Sequence, residues 1–151
     1  MRLLLALTTA CAALTCALPA AAQFAKPADA IEYRQSTLSV LGTHFGRIGQ
    51  MVQGRVPFDA KVAAENADIV AVMAKLPWQA FGPGTETGND TKALPAVWTE
   101  SDKFKAAADN LQDKAAKLQT VAKSGDLAAI RTAFGETGQS CKACHDNYRA
   151  K

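Results

Sequence analysis

Apolar residues in this chain recur at steps of three and four positions, and this spacing constrains the fold more than any other feature of the sequence. Such steps place side chains on one face of an α-helix. The first stripe predicts a helix from Pro27 to Gln53. Its members are Ile31, Leu38, Leu41, Phe45, Ile48 and Val52. Pro27 suits a first helical turn, and Gly54 and Pro57 end the helix.

Three more stripes predict helices over residues 59–75, 101–123 and 127–148. Of the four predicted helices, the third is expected to be capped by Ser101 or Thr99 and the fourth by Asp126. The linker over residues 77–97 is rich in Gly, Pro and Thr and cannot be helical throughout. No stretch alternates apolar and polar residues for long enough to indicate a sheet. The sequence therefore predicts an all-α fold, an antiparallel four-helix bundle.

Residues 1–22 have the layout of a secretory signal peptide. A basic start at Arg2 precedes an uncharged, mostly apolar run, and Ala20-Ala21-Ala22 offers a cleavage site. A membrane anchor is the alternative, for which the run is short. Cleavage would leave one domain, residues 23–151, exported to the periplasm and free of the membrane.

The charge balance of the exported chain is mild. The formal net charge of +3 falls to +2 on cleavage, because Arg2 is the only charged residue removed. A nucleic-acid partner is therefore not expected. Cys11 and Cys16 also leave with the signal, so Cys141 and Cys144 are the cysteines that remain.

The motif that carries chemistry lies near the C-terminus, where Cys141-Lys-Ala-Cys-His145 reads C-x-x-C-H. On a helix the two thiols and the imidazole share one face. The thiols can form thioethers with one edge of a haem, and His145 can be the proximal iron ligand. The motif therefore predicts one covalent haem c per chain. The alternatives are a dithiol redox site, which usually sits in a strand–helix context, and a zinc site, for which His44 would complete a poor ligand set.

Three residues outside the motif are candidates for a sixth iron ligand: His44, Met51 and Met73. Only six residues follow His145, so a distal ligand must come from upstream. A Met or His on an apolar helix face is more often packed than ligating. The residues alone leave the sixth position open.

Beyond the motif, the sequence resembles the cytochrome c′ family, the high-spin class II c-type cytochromes, over the whole of residues 23–151. The segments that carry the resemblance are Gln23-Phe-Ala-Lys-Pro27, Tyr33-Arg-Gln35, Leu76-Pro-Trp-Gln-Ala-Phe-Gly-Pro-Gly-Thr85, Ala133-Phe-Gly135 and Ser140-Cys-Lys-Ala-Cys-His-Asp-Asn-Tyr-Arg149. The last motif is common to c-type cytochromes, whereas its combination with the other segments is far more specific.

The resemblance implies a five-coordinate haem whose distal face is blocked by an apolar side chain of the first helix. Leu38 stands at that position, and low-spin relatives carry a ligating Met near it. It implies binding of small gases, NO and CO, at ferrous iron, with a role in NO binding or detoxification rather than catalysis. It further implies that NO can end on the proximal side in place of His145, with Arg149 nearby.

Four more residues take roles from the same resemblance. Arg34 and Gln35 match positions near the haem propionates, and Trp78 and Phe81 match aromatic residues packed beside the haem. An ordinary surface arginine is the alternative for Arg34, and plain core packing is the alternative for the aromatic pair.

Two partner expectations complete the sequence-based picture. The family resemblance implies a homodimer through the first two helices. The competing function is periplasmic electron transfer, in which lysines steer an acidic redox partner. The lysines proposed for this are Lys105, Lys114, Lys117 and Lys142.

Overall fold

The computed structural model describes residues 23–151, so the predicted signal peptide at residues 1–22 lies outside the described residues. Its helices are α1 (Pro27–Val52), α2 (Ala60–Met73), α3 (Ala96–Thr99), α4 (Ser101–Ala122) and α5 (Leu127–Tyr148). A 3-10 turn covers Pro77–Ala80. Over these residues the only β-type pairing is an isolated bridge between Ala93 and Arg149. The predicted all-α fold is confirmed.

Helices α1, α2, α4 and α5 form the bundle, in which α1 packs on α2, α2 on α4, and α4 on α5. Short connections join α1 to α2 and α4 to α5, which makes each pair antiparallel. The two pairs are joined by the long linker, which contains the 3-10 turn and α3. None of the helices described is long and apolar enough to cross a membrane.

The helix ends follow local chemistry. Asp59 caps α2 by accepting from Val62 N at 3.0 Å, and Asp126 caps α5 by accepting from Ala128 N at 2.8 Å. The predicted cap of α4 by Ser101 or Thr99 is wrong. Glu100 occupies the N-cap position without a side-chain cap bond, and its carboxylate instead lies 3.1 Å from the Lys103 ammonium.

The core follows the predicted stripes, except that Val62 and Leu76, which the second stripe places in the core, are 39% and 38% exposed. Ile48, Val70, Leu118 and Ile130, one from each bundle helix, are completely buried. Burying an aliphatic side chain of this size stabilises a fold by about 1.5–3 kcal/mol. At the base of the bundle Arg131 of α5 donates from Nε to Val52 O at 2.9 Å, satisfying a carbonyl at the end of α1. These contacts tie α5 to α1 at that end, and the cavity lies toward the other.

Candidate functional site

A cavity of about 600 Å³ lies among α1, the linker, α4 and α5, and its lining is mostly apolar. This volume is in the range of pockets that hold cofactors, about 300–1,000 Å³. All the residues singled out from the sequence as site residues line it. They are Arg34, Gln35, Leu38, Trp78, Phe81, Cys141, Cys144, His145 and Arg149. The structure therefore brings together residues that are up to 115 positions apart, from Arg34 to Arg149.

The α5 wall of the cavity carries Cys141, Cys144 and His145. Both thiols are half-buried and not joined in a disulfide. Burial raises the pKa of both, that of Cys144 to about 11, with the neighbouring Cys141 adding to the effect. Partial burial, together with the charge of Arg149, lowers the pKa of His145. The imidazole is therefore neutral at neutral pH, the form that ligates a metal.

The α1 wall carries Leu38, which is half-buried, and Phe45, whose ring stacks on Phe134 with centroids 4.2 Å apart. Neither side chain can ligate iron. Among the Met and His residues that the structure describes, only His145 lines the cavity.

The three candidate sixth ligands have other surroundings. His44 forms a 2.8 Å hydrogen bond through Nδ1 with Asn66 Oδ1 of α2. Met51 is a buried core residue, and Met73 packs against the main core cluster. None of the three lines the cavity, so the fold directs them to packing and helix contacts rather than to ligation.

Arg34 is buried, with 2% of its surface exposed, so the surface-arginine alternative is wrong. Its terminal nitrogens donate four hydrogen bonds of 2.8–2.9 Å, to Ala80 O, Thr85 Oγ1, Thr85 O and Thr91 Oγ1. Every one of these acceptors is neutral. Burial lowers the pKa of the guanidinium, and the charge of Glu86 opposes this. A buried cation that is held by neutral acceptors attracts an anion placed in the same cavity.

Aromatic rings cover the linker side of the cavity. The Arg34 guanidinium carbon lies 4.3 Å from the Phe81 ring centroid, and Phe81 packs edge-on against Phe104 at 5.0 Å. Trp78 Nε1 donates to Ala74 O at 2.7 Å, which satisfies the polar atom of the half-buried ring. Gln35 is exposed at the rim and donates from Nε2 to Asn89 O at 3.0 Å.

The linker is fastened to the chain immediately after α5. Leu94 N donates to Tyr148 O at 2.9 Å, and Ala150 N donates to Lys92 O at 2.8 Å. These bonds form the bridge between Ala93 and Arg149. A second cavity of about 310 Å³ adjoins this end and is lined by residues 145, 146 and 149–151. The bridge therefore fixes the backbone of Arg149 one turn from His145.

Sequence reasoning did not assign several residues of this site. Thr85 and Thr91 were missed, although a Thr-rich linker offers the acceptors that a buried arginine requires. Phe104 was not assigned to the site, and neither was Trp98, which donates from Nε1 to Phe81 O at 2.8 Å. Their proximity to the site comes from the path of the linker, which no local pattern predicts.

The cavity fits a covalent haem. Two free thiols and one imidazole share the α5 face, the lining is apolar, and a buried guanidinium can balance the negative charge of propionates. A helical bundle whose last helix presents C-x-x-C-H to such a cavity is the arrangement of a bundle-type c-type cytochrome.

Comparison with known proteins agrees with this class. The family model for Cytochrome C′ matches residues 29–149. Cytochrome c′ of Rubrivivax gelatinosus is 54% identical over 85% of this chain and 100% of the relative, and its crystal structure superposes with a TM-score of 0.82. A nitric oxide complex of a leucine-to-alanine variant of cytochrome c prime from Alcaligenes xylosoxidans has 46% identity and a TM-score of 0.80, over 85% of this chain and 99% of that one. The chain belongs to the cytochrome c′ family, which implies a covalently bound haem c.

Proposed function

We propose that this chain is a periplasmic protein that binds NO and CO at a five-coordinate haem c, in NO binding or detoxification, without enzymatic turnover. One observation carries the proposal: the α1 wall presents Leu38 to the cavity, and the candidate ligands His44, Met51 and Met73 do not line it. Haem c supplies ferrous iron, which binds diatomic gases. Nitric oxide complexes of cytochrome c prime variants support the ligand class.

Each group of site residues would have a separate role. Cys141 and Cys144 would hold the haem through thioethers, and His145 would supply the iron ligand from α5. Arg34, with Gln35 at the rim, balances the charge of the propionates. The rings of Trp78 and Phe81 exclude water from that edge.

Leu38 is the steric gate of the opposite face. Its apolar side chain offers no hydrogen-bond donor, which bound O₂ gains from more than NO or CO does. Crowding by Leu38 slows ligand entry and penalises bulky ligands. Arg149 and the smaller cavity beside His145 support the further proposal that NO can end on the proximal side.

A CO titration of the ferrous protein tests the gate. Leu38→Ala is expected to raise CO affinity about tenfold, equivalent to about 1.4 kcal/mol, because steric crowding is relieved. Leu118→Ala is the matched control, since Leu118 is completely buried but does not line the cavity. It should lose stability and keep the wild-type CO affinity. Equal CO affinity in Leu38→Ala and wild type would contradict the gate.

The electron-transfer alternative makes a different spectroscopic prediction. A low-spin ferrous spectrum with a Met–iron band would exclude an open sixth site. The lysines proposed to steer a redox partner are each paired with a carboxylate: Lys105 with Asp109, Lys114 and Lys117 with Glu136, and Lys142 with Asp146. This pairing reduces their steering field.

Export is tested separately. N-terminal sequencing of the periplasmic protein is expected to begin at Gln23, which would establish cleavage after Ala22. A chain that keeps residues 1–22 and fractionates with membranes would contradict both the signal peptide and the periplasmic location.

A further inference from the structure

Gly42 lies on α1 one helical turn after Leu38 and lines the same cavity. Residues four positions apart share a face of a helix, so Gly42 adjoins the gate. A Cβ built at Gly42 would meet no heavy atom within 4 Å. The wall beside Leu38 is therefore open where a side chain would otherwise stand.

Neither packing against other protein atoms nor backbone geometry requires this glycine. A Cβ at Gly49 on α1 would lie 3.0 Å from the Phe134 ring, and a Cβ at Gly138 on the α5 wall would lie 3.7 Å from the Phe45 ring. Gly42 has no such neighbour. It also lies inside a regular helix and is not among the positive-φ glycines. Glycine is unfavourable in a helix interior, so the position gives up helix stability although no protein atom would contact a Cβ there.

We propose that Gly42 is a specificity-determining residue of the gas-binding face. By leaving space beside Leu38, it sets how large a ligand can approach the wall opposite His145. Leu38 alone would narrow the face, and a second side chain one turn away would close the remaining space. This inference rests on the proposed gas binding.

The test compares ligands of different size in variants of two matched glycines. Gly42→Ala and Gly42→Leu are compared with Gly46→Ala and Gly46→Leu in the haem-loaded protein. Gly46 lies one turn further along α1, also has open space for a Cβ, and does not line the cavity. Both positions gain helix propensity equally on substitution, so a difference between them reports on the cavity.

We expect Gly42→Leu to slow CO association about tenfold or more, and n-butyl isocyanide association by a larger factor, because the longer ligand needs more of the open space. Gly42→Ala should slow the isocyanide about threefold, while both Gly46 variants stay within about twofold of wild type. A second readout requires no iron ligand. Xenon, which enters dry apolar cavities, should occupy the space beside Leu38 in crystals of the ferric protein and be excluded by Gly42→Leu.

The outcomes separate this inference from the function it rests on. A wild-type protein that binds no CO overturns the proposed gas binding, and the xenon experiment still reports on the space at Gly42. A wild-type protein that binds CO, with Gly42 and Gly46 variants that bind both ligands at equal rates, overturns the specificity role. If Gly42→Leu does not retain haem, the test rests on Gly42→Ala. A haem-loaded Gly42→Ala protein that binds the isocyanide at the wild-type rate would assign the glycine to haem packing and overturn the proposal.

Discussion

At the scale of single residues, Arg34 is the side chain that most shapes the site. It reaches from α1 into the linker and donates to acceptors on Ala80, Thr85 and Thr91. Thr85 Oγ1 in turn donates to Gly82 O at 2.8 Å, so the segment closes on itself around the guanidinium. The same cation faces the cavity. One buried residue thus shapes the linker and places a buried positive charge beside the pocket.

Replacing Arg34 should therefore unfold the linker before it affects the bundle. Arg34→Met keeps the length and apolar stem but leaves two carbonyls, those of Ala80 and Thr85, without these donors. Unpaired buried acceptors cost about 1–3 kcal/mol each, so we expect the free energy of unfolding to fall by about 2–6 kcal/mol. Urea denaturation of the haem-loaded protein measures this. Arg47→Met, on an exposed position of the same helix, is the control. A loss equal to that of the control would show that the linker is held by other contacts.

At the scale of the elements, α4 and α5 are joined by an apolar seam and a charged edge. Leu118 and Ile130 belong to the buried seam. At the edge, Lys117 and Lys114 both reach Glu136 of α5, at 2.9 and 3.1 Å. Hydrogen bonds from Lys117 and then from Lys114 lower the pKa of Glu136 below its ordinary value of 4.5. The edge is exposed to solvent, so its contribution is small and sensitive to salt.

This edge predicts a pH-dependent stability. A carboxyl group whose pKa is lowered by folding stabilises the fold above its unfolded pKa, and the contribution is lost as pH falls through the lowered value. Glu136→Gln should therefore lower Tm slightly at pH 7, and its difference from wild type should shrink as pH falls below about 4.5. Thermal unfolding from pH 7 to pH 3 measures the difference, and 1 M NaCl should reduce it at pH 7. A difference that persists unchanged at pH 3 would rule out the ionised carboxylate as its source.

At the scale of the whole molecule, exposed apolar residues are concentrated in one region. The large hydrophobic side chains that the structure leaves most exposed lie between residues 40 and 76, on α1, on α2 or beside them. They are Val40, Val56, Val62, Val72 and Leu76, each 38–52% exposed. Isologous dimers bury exposed apolar residues of one copy against the same residues of the other. This distribution supports the proposal of a homodimer through the first two helices.

The dimer proposal predicts that charged substitutions on the first two helices weaken the dimer and lower the mass of the protein in solution. The double variant Val40→Glu/Val62→Glu should raise the dimer dissociation constant at least about tenfold, because an unpaired charge in an apolar interface is costly. Sedimentation equilibrium measures it. Thr120→Glu, an exposed position on α4, should leave the mass unchanged. A wild-type protein that is monomeric at high concentration would contradict the dimer, whereas equal dissociation constants for both variants would place the interface elsewhere.

The sequence by itself determined the helices and the placement of the C-x-x-C-H motif on one helix, because both depend on residues that are close together in the chain. The bounds of the four predicted helices differ from those in the structure by two residues or fewer. The bounds of the fourth, which is α5 in the structure, do not differ. The spacing of Cys141, Cys144 and His145 required only that α5 be a helix. The resemblance to a known family then indicated which distant residues share a site, a grouping that periodicity cannot supply.

Only the tertiary structure decided how the linker folds and what the cavity presents to a ligand. Burial of Arg34 depends on Thr85 and Thr91, more than 50 positions away, and no local pattern pairs them. The separation of His44 and Met51 from the cavity likewise depends on how α1 is rotated in the bundle, and that of Met73 on the placement of α2. A stripe of apolar residues shows which side of a helix is buried, but what lies opposite each residue is set by packing between helices. That packing places Leu38 and the open space at Gly42 on the wall opposite the attachment motif.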